Sequence, residues 1–218
     1  MSHDIQHQQF AQQFLERTVG FLEQEAQENH YNWYCMRQAI AVALILERGD
    51  LVSRVKQLWR QAKLHFGYEE RLQIDLSADS FNQLYPIYPL SEVPAMVNLT
   101  VRTGKSKHIA LSVEKRYSEA FPLAADDFER EQIIMTQIVL GDFDSAQQSL
   151  VSFNTVRDTK HMALLVFGVE YFRRDRFDQL QSILNDLRSS KMDMWDHVLL
   201  ACGFAGREPW GGYPYADY

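Results

Sequence analysis

The chain has 218 residues, 46% of them hydrophobic and 23% charged, and carries a formal net charge of −7. Those proportions exclude disorder along the whole length and suffice for one substantial core, so a single domain over 1–218 is expected. The acidic balance argues against a broad basic surface, so no nucleic-acid partner is expected and a basic protein is the better electrostatic match.

The opening residues Met1-Ser2-His3-Asp4-Ile5-Gln6 lack the basic and apolar regions of a secretory signal. The longest apolar run, Ala39 to Leu46, is too short to span a bilayer. A cytoplasmic address without membrane contact is therefore expected. Residues 5–28 predict one amphipathic helix, since Phe10, Phe14, Leu15, Val19, Phe21 and Leu22 recur at helical intervals against a glutamine- and glutamate-rich back. His3 and His7 are four apart, a spacing compatible with a metal, but no third ligand lies near and solvated histidines are expected. After Asn29-His30, the residues Trp33, Tyr34, Met36, Ile40, Val42, Ala43 and Leu46 are apolar nearly all round and predict a central helix. Gly49-Asp50 reads as its close, with Leu51, Val55, Leu58, Trp59 and Ala62 as the return arm of a hairpin over 33–64. Cys35 and Cys202 both sit in apolar helical runs, where buried thiols are the expectation.

Regularity fails over 65–90, where Gly67, Tyr68, Tyr85, Pro86, Tyr88 and Pro89 exclude a continuous helix. The stretch reads as an irregular insertion, either a recognition surface or a connector packed by its aromatic residues. Residues 91–121 fit two patterns. As helices, Ser91 caps Val93 to Val101, Gly104 turns, and Ile109, Val113, Tyr117 and Ala120 form a second arm before Pro122. As strands, Val97, Leu99 and Val101 alternate, as do Ile109, Leu111 and Val113. Helices are preferred, because a turn at 104 falls at nearly the spacing of the later turns. Gly104-Lys105-Ser106 is no phosphate loop, since Leu99 stands where the motif needs a second glycine.

The strongest pattern covers 128–187. Phe128, Ile134 and Ile138 define an apolar face with Glu129, Arg130 and Gln132 turned away, Asp126-Asp127 cap the start, and Gly141-Asp142 turn the chain. Sliding the sequence by 34 residues lays Phe143-Asp144 on Phe177-Asp178, Ala146 on Leu180 and Leu150 on Leu184. Met162, Leu165, Val169 and Phe172 form one stripe, and Phe177, Leu180, Ile183, Leu184 and Leu187 another, with Arg174-Asp175 turning between them. Hairpins this short cannot bury an apolar face alone, so they stack. In that spacing the chain resembles the tetratricopeptide-type helical repeats, although the tryptophan, glycine, tyrosine and closing proline of that family are not present as a set. The resemblance implies an all-α fold of stacked antiparallel hairpins, as a right-handed solenoid, and an irregular helical bundle is the alternative.

A last helix is predicted from Trp195 to Cys202, ending at Gly203, followed by an aromatic non-helical tail over 203–218. The tail either docks on its own helices or meets a partner. No catalytic, cofactor or metal constellation is legible: nucleophile-elbow, Cys-x-x-Cys, His-Glu-x-x-His and dinucleotide-loop patterns are missing. His161 beside Asp158 and His197 beside Asp196 read as surface histidines near carboxylates, with a dispersed enzyme site as the alternative. The function expected is that of a non-catalytic protein-binding module, with Tyr31, Trp33, Tyr85, Tyr88, Trp210, Tyr213 and Tyr215 as anchors. In size, charge and class the chain also looks like the helical immunity proteins that bacteria make against their own toxins. That likeness implies a basic toxin or effector as partner. A general adaptor and a homodimer paired through helical ends are the other expectations.

Overall fold

The computed structural model describes residues 3–66, 107–152 and 157–206. Among them the chain is all-α, with ten α-helices, one 3-10 turn and no strand. The helices fall into two compact units. The first contains α1 (His3–Gln27), α2 (Trp33–Ile45), α3 (Gly49–Phe66) and α10 (Met194–Phe204). The second contains α4 (Lys107–Val113), α5 (Tyr117–Ala120), the 3-10 turn Phe121–Leu123, α6 (Asp127–Val139), α7 (Phe143–Ser152), α8 (Arg157–Arg173) and α9 (Phe177–Ser189). Among the described residues no helix is long and apolar enough to cross a membrane.

In the first unit α1 packs against α2, α3 and α10, and α2 packs against α3 and α10. The stripe read from the sequence is the buried face of α1: Phe14, Leu15, Val19 and Leu22 are buried while Gln13, Glu16, Arg17 and Gln24 are exposed. Burying one such side chain is worth about 1.5–3 kcal/mol, which is what holds a helix of modest propensity in place. Across from it, the Phe204 ring meets Phe10 and Phe14 edge-on at 6.1 and 5.3 Å. Helix α2 is the interior one, buried continuously from Gln38 to Ala43, and the Asn32 side chain starts it by accepting from the Cys35 N–H at 3.0 Å. Both thiols are buried as expected. Burial, followed by the charges of Glu25, Cys202 and Asp193, pushes the Cys35 thiol up to about 12, so it is an inert packing group.

One turn recurs through both units. A helix ends, a residue takes left-handed backbone, and the next helix begins two residues on. Glu47 (φ 54), Lys115 (φ 59), Gly141 (φ 77) and Asp175 (φ 57) hold this position. Each turn closes with the same long-range bond, from the N–H of the following residue to a carbonyl in the last helical turn. These are Arg48 to Ala43, Arg116 to Leu111, Asp142 to Gln137 and Arg176 to Tyr171, at 2.8–2.9 Å. Gly49 does not turn the chain, because Glu47 does so and Gly49 is already the first residue of α3. The arm expected over 109–120 is two helices, because the turn at Lys115 breaks it into α4 and α5.

In the second unit α6 packs against α4, α7 and α8, and α8 packs against α9. Leu111, Ala120, Ala124 and Ile133 form one cluster, with Tyr117 and Phe121 against it, so the residues of the broken arm still share a core. The strand alternative is overturned for Ile109, Leu111 and Val113, which lie in α4; the remainder of 91–106 lies outside the described residues. Asp126 caps α6 by accepting from the Glu129 N–H at 2.9 Å, and Glu129 reaches back to the Ala125 N–H. The face of α6 differs from the reading: Phe128 is 48% exposed and Gln132 is buried, because the core-facing residues are Ile133, Ile134 and Ile138. The stripes of α8 and α9 hold for Leu165, Val169, Phe172, Leu180, Leu184 and Leu187, all buried, while Met162, Phe177 and Ile183 at their edges are half-buried. Helix α3 continues to Phe66, into the predicted insertion, and α10 continues through a buried Gly203 to Phe204. Its end is made by Gly206 at φ 79.

Candidate functional site

Two capped helix starts place the most exposed described tryptophan. Asn32 opens α2, putting Tyr34 in its first turn. Asp193 opens α10 through a capping box, accepting from the Asp196 N–H at 3.1 Å while Asp196 accepts from the Asp193 N–H at 3.0 Å. Because α2 and α10 pack together, Tyr34 and Trp195 stack, with ring centroids 4.9 Å apart and planes inclined by 23°. Trp195 is nevertheless 43% exposed, while nearly every other residue of α10 is buried. The result is a stacked aromatic platform whose outer member, Trp195, is partly in solvent.

Along α1 and α3 lies an open groove of about 540 Å³, lined by Glu23, Gln27, Tyr31, Arg54, Gln57 and Gln61 with Ala26 and Leu58. Arg54 and Glu23 cross it as a two-pronged ion pair, Nε to Oε1 at 2.8 Å and Nη2 to Oε2 at 2.6 Å. The opposed charges cancel locally, and the remaining polar lining is amide and phenol.

The titratable groups of the interior serve packing and hairpin closure. His197 is 5% exposed, with its Nδ1–H donating to the Asp193 carbonyl at 2.6 Å and its ring against Phe14 and Phe21 of α1. Burial, assisted by the nearby Arg17, holds it below the ordinary histidine value, so the expected surface histidine is a buried neutral one. His161 Nδ1 lies 3.3 Å from Ser190 Oγ in a smaller pocket with Lys160 and Asp186. The Ser190 hydroxyl donates to the Leu187 carbonyl at 2.7 Å, the shorter of its two contacts, which directs its proton to the backbone and away from His161. The Asp158 side chain lies outside the described residues. In the second unit His108 Nε2 meets Gln132 Oε1 at 3.1 Å inside the contact of α4 with α6. Glu170 is 1% exposed, bonded by Arg173 at 3.1 Å and paired with Arg174 at 3.4 Å; burial pushes its carboxyl up while the two guanidinium groups pull it down. Among the described residues no three His, Cys, Asp or Glu side chains gather into a metal-binding cluster.

Of the anchors read from the sequence, Tyr31 is half-buried and lines the α1–α3 groove. Trp33 is the first residue of α2, and its side chain lies outside the described residues, as do Tyr85, Tyr88, Trp210, Tyr213 and Tyr215. The Tyr34–Trp195 stack was not among them. The available signal was each residue's place two positions past a capping Asn or Asp, at the start of an otherwise apolar helix. No family model matches the chain, and no curated protein and no solved structure matches it.

Proposed function

We propose that the chain is a non-catalytic binding protein of tetratricopeptide-like build that grips another protein through exposed aromatic side chains. The observation that carries the reading is Trp195, 43% exposed yet held flat on Tyr34. A large ring already fixed in place gives up little conformational entropy on binding, and tryptophan and tyrosine are the side chains that most often dominate interface energetics.

The repeat build is supported by the pair of hairpins α6/α7 and α8/α9. Their turns hold Gly141 and Asp175 at the left-handed position, each followed two residues later by a phenylalanine that opens the return helix. Arg174, from the second turn, reaches back to the Val139 carbonyl of the first hairpin at 2.8 Å and lies over the Phe143 ring. A right-handed solenoid extends this hairpin-on-hairpin contact. The net charge of −7 favours a basic partner, and the immunity reading makes that partner a toxin of the same cell.

The test is capture of partners from lysate by the full chain, with the neighbouring reading frames identified. One stoichiometric basic partner that is a toxin encoded next to this chain supports immunity, and several unrelated partners support an adaptor. Capture of no protein, together with turnover of a small molecule by the purified chain, would overturn the binding reading.

A further inference from the structure

We infer that the groove between α1 and α3 takes an extended stretch of polypeptide backbone, an inference that rests on the partner being a protein. Gln57 and Gln61 are exposed on α3 one helical turn apart, and Gln27 is exposed on the facing wall. Four residues of helix rise about 6.0 Å. Two residues of extended chain advance about 6.7 Å, so amides at this spacing meet every second residue of a strand. Each side-chain amide offers a donor and an acceptor, the complement of one residue's C=O and N–H. Charge recognition is a poor fit, because the Arg54 guanidinium is already engaged by both oxygens of Glu23. What remains is a neutral, hydrogen-bonding groove bounded by Tyr31 and floored by the buried Leu58, with about 540 Å³ to fill. That chemistry suits peptide backbone better than a phosphate or a metal ion.

The experiment pans the immobilised full chain with phage-displayed random dodecapeptides and measures the selected peptides in solution by fluorescence polarisation. Gln57→Ala and Gln61→Ala are at exposed helical positions and preserve the fold, which circular dichroism checks. Each change is expected to weaken binding about fivefold and the pair about 25-fold, one hydrogen bond's worth apiece. N-methylation scanned along a selected peptide is expected to weaken binding at every second residue. Three results would overturn the groove: no peptide enriched, N-methylation tolerated in every register, or affinities that fall with Trp195→Ala but ignore both glutamine changes. The last would leave the protein-binding reading intact, whereas failure of that reading is recognised separately by the absence of any captured partner.

Discussion

Replacing Gly141 with alanine tests the hairpin architecture at its tightest point. Gly141 sits at φ 77, and an added Cβ would lie 3.0 Å from Arg174 Nη1 and 3.1 Å from its Cζ. The left-handed backbone alone costs an alanine about 1–2 kcal/mol. The guanidinium can yield by a few tenths of an ångström, but it is held by the Val139 carbonyl at 2.8 Å and by Glu170 at 3.4 Å, so its movement stretches both. Arg174 is about one-third exposed, which keeps that loss to about 0.5–1 kcal/mol. The sum is about 1.5–3 kcal/mol of destabilisation, read as a lower urea midpoint at unchanged slope. Arg174→Ala in the Gly141→Ala background removes the clash, so the double change is expected to cost less than the two single changes added together. An unaltered midpoint in Gly141→Ala, or strict additivity in the double variant, would refute the argument.

Lys115 holds the same left-handed position without being glycine, so Lys115→Gly is expected to raise stability by about 0.5–1 kcal/mol in the same assay. Glu170→Ala strips a buried carboxylate from Arg173, whose side chain is 8% exposed, and a loss of about 3 kcal/mol is expected in urea unfolding. His197 is held below its ordinary value by burial. The stabilisation from its neutral form is complete above about pH 6.5 and is lost as pH falls through the lowered folded value. Arg17, Asp193 and Asp196 face it, and His197→Phe is expected to flatten the fall in stability over that acid range. Asp193→Ala removes the α10 cap, with an expected cost of about 1 kcal/mol and a looser Trp195, visible as a shift in tryptophan emission.

Periodicity made the helices legible: α1, α2, α8 and α9 bury most of the described residues their spacing marks out, with Phe10, Phe21, Tyr34, Met162, Phe177 and Ile183 half-buried. It failed where a single residue decides geometry. The left-handed positions Glu47 and Lys115 carry no compositional flag, because a backbone bond to the preceding turn holds them, not their side chains. Phe128 and Gln132 exchanged places relative to expectation, since the packed face of α6 is centred on Ile133, Ile134 and Ile138, which brings Gln132 inward and leaves Phe128 48% exposed. His197 was misread because its adjacent Asp196 is spent on the helix cap, leaving the imidazole to pack on Phe14 and Phe21. The aromatic platform was illegible for a similar reason: Tyr34 and Trp195 meet only because two helices distant in sequence start side by side.

The most direct test of protein recognition through the aromatic platform is the affinity of a captured partner for the wild-type chain and for Trp195→Ala, by titration calorimetry. A buried interface tryptophan is worth about 2–4 kcal/mol, so the dissociation constant is expected to rise roughly 30- to 1,000-fold with the fold intact. An affinity that stays within about twofold would contradict the claim that this platform makes the grip.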